Sequence, residues 1–193
     1  MLSLPGGELV LAHSTREAAE IPASLDEGLA ELAPHPVGVH VDVKGAGFER
    51  AIVDALRHHK LVERAVVSSV RSGVLRRFAQ IEPGLSRALS YPEDRLGISR
   101  TPLATPVVRS ALTAARRAMP YRIGAMLERA QATVASLNHA IVSRATIERC
   151  HALGVPLIAW TVNDPARMRR LAELGVDGIV SDDPRLLAAT LHA

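Results

Sequence analysis

A parallel α/β fold of the (β/α) barrel type is what this sequence predicts, and three observations predict it. Short apolar runs alternate with helix-length amphipathic segments along the whole chain, the pattern of strands joined by crossover helices and therefore paired in parallel. Two apolar runs in "AWTVNDPARMRRLAELGVDGIVSDDP" (residues 159–184) each close on an acid and a proline, so that a strand leads directly into a capped helix. The run "VGVHVDVK" (residues 37–44) alternates valines with Gly38, His40, Asp42 and Lys44, the period of a strand with two unlike faces.

The elements follow in order. "GELVLAH" (7–13) reads as a short strand. Residues 24–33 read as a helix, with Ser24 as N-cap and Glu27 completing a capping box. The strand at 37–44 is followed by a helix at 48–60, a strand at 64–70, a helix at 72–80 and a strand at 86–91. A proline-containing stretch of some forty residues then predicts two helices, at 106–118 and 121–131, divided at Pro120. A strand at 132–137, a helix at 145–153 and a strand at 156–162 come next. Asp164 caps the following helix with Pro165 in its first turn, Met168, Leu171 and Ala172 form its apolar stripe, and Gly175 ends it. A strand at 177–180 and a helix opened by Asp183 and Pro184 close the chain, which makes about seven strands in all. "GAGFER" (45–50) has G-x-G without a third glycine in register, so a dinucleotide-binding fold is not favoured.

Composition narrows the function. The 193 residues amount to one domain, and 48% hydrophobic with 22% charged residues is a globular balance. No apolar run approaches the roughly 20 residues that span a membrane, and "MLSLPGGELVLAH" lacks the basic start of a signal peptide. The single cysteine, Cys150, permits no intrachain disulfide, so a reducing, cytoplasmic setting is expected and the thiol is read as core. A net charge of +3 invites nucleic acid, but aromatics at 3% leave no stacking platform. The arginine pairs Arg76-Arg77, Arg116-Arg117 and Arg169-Arg170 read as solvated helix faces, and no nucleic-acid partner is expected.

The chemistry-bearing residues gather on few segments. In a parallel barrel, helices cover the outer face, so His40, Asp42 and Lys44 are expected to point inward. Buried charge is costly unless it is paired or bound to a metal. A carboxylate and an ammonium two residues apart suit a metal ligand and a phosphate-binding cation, and equally a structural ion pair. His13 ends the first strand and precedes Ser14; a lone histidine is more often structural, and spacing alone leaves a functional role as the lesser reading. "HHK" (58–60) sits where cations complement a helix C-terminus and reads as structural. Trp160, the one tryptophan, fits a core position or a substrate wall. Asp164 and Asp183 are read as helix caps.

The segments "LVLAHS", "VGVHVDVKG", "RAVVSS" and above all "AWTVNDPARMRRLAELGVDGIVSDDP" resemble the glycerophosphodiester phosphodiesterase family over essentially the whole chain. The resemblance implies a TIM (β/α)8-type barrel that hydrolyses a small-molecule phosphodiester to an alcohol and glycerol 3-phosphate, using a divalent cation, Ca²⁺ or Mg²⁺. By position it implies that His13 is a catalytic histidine, Asp42 a metal ligand, Lys44 a substrate-binding lysine and Trp160 a residue beside the substrate. In the family pattern, His-Arg-Gly and Glu-x-Asp precede the segment that Met1 begins. The expectation is therefore a barrel domain over residues 1–193 that is incomplete at its N-terminus. Without one catalytic histidine and two metal ligands, the alternative is a non-catalytic barrel remnant or interaction protein.

Overall fold

The computed structural model describes residues 2–3, 9–10, 23–92 and 106–192. Two short strands, β1 (Leu2–Ser3) and β2 (Leu9–Val10), pair antiparallel, with Leu2 opposite Val10. This corrects the expectation of parallel pairing throughout: the first apolar run pairs with the strand just before it, across a connection too short for a crossover helix. The chain continues with α1 (Leu25–Leu32), β3 (Val39–Asp42), α2 (Glu49–His58), β4 (Ala65–Ser69), α3 (Ser72–Ile81) and β5 (Ser86–Tyr91). It closes with α4 (Pro106–Ala130), β6 (Val134–Asn138), α5 (Arg144–Ala152), β7 (Leu157–Trp160), α6 (Pro165–Leu174), β8 (Gly178–Ile179) and α7 (Pro184–Leu191). Strands β3 to β8 neighbour one another in chain order. The pairs β3–β4, β6–β7 and β7–β8 are parallel.

Two compact units make up the chain: Met1–Ala88 with Ala130–Ala132, and Leu89–Arg129 with Thr133–Ala193. In the first, the valines of β3 do what their period requires. Val39, Val41 and Val43 are buried in one cluster with Leu25 and Leu29 of α1, Ile52, Val53 and Leu56 of α2, and Val74 and Phe78 of α3. Ser24 closes the predicted capping box: its Oγ accepts from the Glu27 amide at 3.1 Å, and its own amide donates to Glu27 Oε2 at 2.9 Å. The "HHK" segment is structural as read, since the His59 Nε2 meets Asp26 Oδ1 of α1 at 2.8 Å.

In the second unit, α6 starts and stops where its punctuation says. Asp164 Oδ1 accepts from the Arg167 amide at 2.7 Å, Pro165 opens the helix, and Gly175 ends it at φ +90°, a conformation that suits glycine. Met168 and Leu171 are buried, but Ala172 is exposed, so the stripe is narrower than expected. Asp183 repeats the cap on the Leu186 amide at 2.9 Å. Asp177 Oδ2 accepts from the Leu157 amide at 2.7 Å and lies 2.9 Å from His151 Nε2, which joins α5 to the start of β7. Cys150 is buried, and burial, with Asp177 nearby, pushes its thiol up to about 11.

The clearest departure is α4. One helix of 25 residues runs through Pro120, where two helices were expected. A proline inside a helix removes one backbone hydrogen bond and crowds the carbonyl four residues back, here that of Arg116. The helix continues because Met119, Ile123, Leu127 and Ala130 are all buried on one side of it, and that burial outweighs the local cost. No described helix is long and apolar enough to cross a membrane.

Candidate active site

The C-terminal ends of strands carry the chemistry in parallel α/β barrels, and β3 ends on a charged pair, Asp42 and Lys44. The approach to β3 is fixed by Arg64, whose guanidinium donates to the carbonyls of Ala33, His35 and Val37. Parallel register then places Asp42 opposite Ser68 of β4. The Ser68 hydroxyl donates to Asp42 Oδ1 at 2.8 Å, and Lys44 Nζ lies 2.5 Å from Asp42 Oδ2. Ser69 supports the same corner by donating to the Val43 carbonyl at 2.9 Å.

Burial acts to raise the Asp42 carboxyl. The ammonium of Lys44, by hydrogen bond and charge, and the Ser68 hydroxyl outweigh it, and the carboxyl sits below its ordinary range. The side chains of Lys44 and Asp42 are 49% and 44% exposed, and His40 is exposed on the same strand. The expectation of fully buried charge is thus corrected: the valines pack against the helices and leave the polar side chains on the other face of the strand, as their period requires, but solvent reaches that face, so the burial penalty on the pair is only partial. Serines 68 and 69, both buried, are the site residues that sequence reasoning left without a role. Their signal was present, two hydroxyls closing an otherwise apolar run.

Trp160 ends β7 in the second unit, with Asn138 of β6 opposite it. Its Nε1 is buried without a hydrogen-bond partner, as is Nδ1 of His139, whose amide donates to the Trp160 carbonyl at 2.9 Å. Beyond Trp160, Asn163 ties the two strand ends of the signature: its Nδ2 donates to Asp182 Oδ2 at 2.7 Å, and its Oδ1 accepts from Ser181 Oγ at 3.1 Å. Asp42 and Lys44 are brought together. His13 lies outside the described residues.

A divalent cation does not fit what is described at β3. Ca²⁺ takes six to eight oxygens and Mg²⁺ six. Among the described residues no three His, Cys, Asp or Glu side chains gather as a metal cage. The one carboxylate at this strand end already holds Lys44, whose charge repels a cation.

The family model for the glycerophosphoryl diester phosphodiesterase family matches residues 31–186. The chain belongs to that family. A glycerophosphodiester phosphodiesterase from Caldanaerobacter subterraneus is 25% identical over 154 residues, covering 77% of this chain and 53% of the relative. The chain thus spans about half the length of that curated relative. Among solved structures, a phosphodiesterase from Oleispira antarctica in complex with the product sn-glycerol-3-phosphate gives a TM-score of 0.65 at 18% identity, over 90% of this chain and 62% of that one. A glycerophosphoryl diester phosphodiesterase from Silicibacter pomeroyi gives 0.67 at 20% identity, over 89% and 56%. The enzyme from Thermotoga maritima gives 0.60 at 15% identity, over 95% and 80%. At these identities the likeness shows a shared fold. The family member described here has the α/β, TIM-barrel-type fold the sequence predicts, with six parallel strands described against the eight of a closed barrel.

Proposed function

We propose that this chain, as one barrel-type domain over residues 1–193, takes glycerophosphodiesters at the C-terminal ends of its strands and hydrolyses them to an alcohol and glycerol 3-phosphate. In that reaction water attacks phosphorus, the bond from phosphorus to the alcohol oxygen breaks, and the alcohol leaves with a proton. His13 is proposed as a proton-transfer group. Lys44 is proposed to place its charge on a phosphate oxygen, where it counters charge moving during displacement. Asp42 holds Lys44 there from one side, and Trp160, whose buried indole N–H has no hydrogen-bond partner among the described residues, is proposed to stand beside the substrate. The observation that carries the proposal is the half-exposed Asp42–Lys44 pair at the end of β3, within the segment that matches the family.

Ca²⁺ or Mg²⁺ remains the expected cofactor by family. Asp42 would have to release Lys44 to take such an ion, so no step is assigned to it. This same engagement of Asp42 favours a second reading, a protein that binds phosphodiesters without turning them over. The cytoplasmic setting is likewise proposed, supported by the lone, buried thiol of Cys150.

Hydrolysis of glycerophosphocholine with and without Ca²⁺ or Mg²⁺ tests the first reading against the second. Metal-dependent turnover that falls about 10²-fold in Lys44→Ala supports the enzyme. Binding of the diester without turnover, lost in the same variant, supports the binder.

A further inference from the structure

Helices α4 and α5 of the second unit form a groove that none of the strand-end site residues Asp42, Lys44, Ser68, Ser69 and Trp160 lines. It encloses about 870 Å³, within the span of about 300–1,000 Å³ usual for small-ligand sites. Arg116, Arg117 and Tyr121 line it from α4, Ser143 from the N-cap of α5, and Glu148 and Arg149 from further along α5.

The arginine pair of α4 reads in the sequence as a solvated face. The structure adds a third arginine from a different helix and a concave shape. Arg149 is bedded against α4 at Gly124: a Cβ there would stand 3.5 Å from its Nη2. Three guanidiniums therefore face one carboxylate, that of Glu148. Among the described residues, Arg116, Arg117 and Arg149 have no hydrogen-bond or ion-pair partner. Guanidinium forks match phosphate oxygens in pairs. Ser143, whose hydroxyl caps the Thr146 amide at 3.2 Å, sets the N-terminal end of α5 at the groove, where the helix dipole also favours an anion. Tyr121, also in the lining, is 90% exposed and leaves its ring open to a ligand.

We propose that this groove binds a small phosphorylated molecule, through a phosphomonoester or diphosphate dianion, independently of the strand-end site. Calorimetric titration with inorganic pyrophosphate at low ionic strength tests it on three proteins: the unaltered chain, Lys44→Ala, and Arg116→Gln/Arg149→Gln. The proposal expects binding that survives in Lys44→Ala and weakens about tenfold or more in the arginine variant. All three arginine-to-glutamine and lysine-to-alanine changes lie on solvent-reached side chains, so unchanged melting curves serve as the folding control. A conservative Arg116→Lys/Arg149→Lys variant should recover part of the affinity, since charge returns without the fork. Binding lost in Lys44→Ala but kept in the arginine variant overturns the proposal, and so does no binding at all. A separate arm uses sedimentation with vesicles of anionic phospholipid. Arginine-dependent sedimentation without pyrophosphate binding also overturns it, in favour of a membrane contact.

Discussion

Among the described residues, Asp42 meets a neutral hydroxyl from β4 and a cation two residues further along the chain. Because the pair is half exposed, removing Lys44 should cost little stability, below about 1 kcal/mol, as for surface pairs. Thermal melting of Lys44→Ala checks this, and a loss of about 3 kcal/mol or more would mean the pair behaves as a buried one. The pH dependence follows from the lowered carboxyl. A depressed carboxylate contributes its stability above the unfolded value and loses it as pH falls through the folded one. The Asp42 contribution should therefore be constant from neutral pH down to the ordinary carboxylate range and disappear only below it, which acid titration of the melting temperature would read. Cys150 gives a separate prediction. With its thiol pushed up to about 11 by burial, it should resist thiol reagents at pH 8 in the folded chain and react fully in denaturant.

At the level of elements, the sequence was most legible where local chemistry and burial agree. Ser24 with Glu27, Asp164 with Pro165 and Gly175, and the alternating valines of β3 each specified their element because no distant contact opposed them. It was least legible where packing overruled the local signal. Pro120 is a strong breaker on its own, yet buried neighbours on both sides carry α4 through it. Ala172 has the right spacing for the core and no partner to cover it. Ser68 and Asp177 escaped because their work depends on which strand lies beside them, and spacing along one chain does not encode that. Replacing Pro120 by alanine should restore the Arg116 carbonyl's hydrogen bond and raise stability by about 1–3 kcal/mol, measurable by urea denaturation. Asp164→Ala should lower it by about 1 kcal/mol through loss of the cap on the Arg167 amide.

For the whole molecule, family membership and fold rest on different grounds. The family is shown by the match over residues 31–186, and the fold by the strands and their solved neighbours. Neither assigns a metal to the described residues. Calorimetry with Ca²⁺ or Mg²⁺ should find no binding tighter than about 10⁻⁴ M, the weak end of protein calcium sites; micromolar affinity would overturn that expectation. The sheet has a further consequence, in time rather than space. Each strand from β4 to β8 neighbours the one made just before it. A nascent chain can therefore pair β3 with β4 while β8 is still untranslated. The widest gap between neighbours separates Tyr91 from Val134, and ring closure grows costlier with the length enclosed. Refolding should pause there: pulse-labelled amides of β3–β4 and of β6–β7 should each gain protection before those that join β5 to β6.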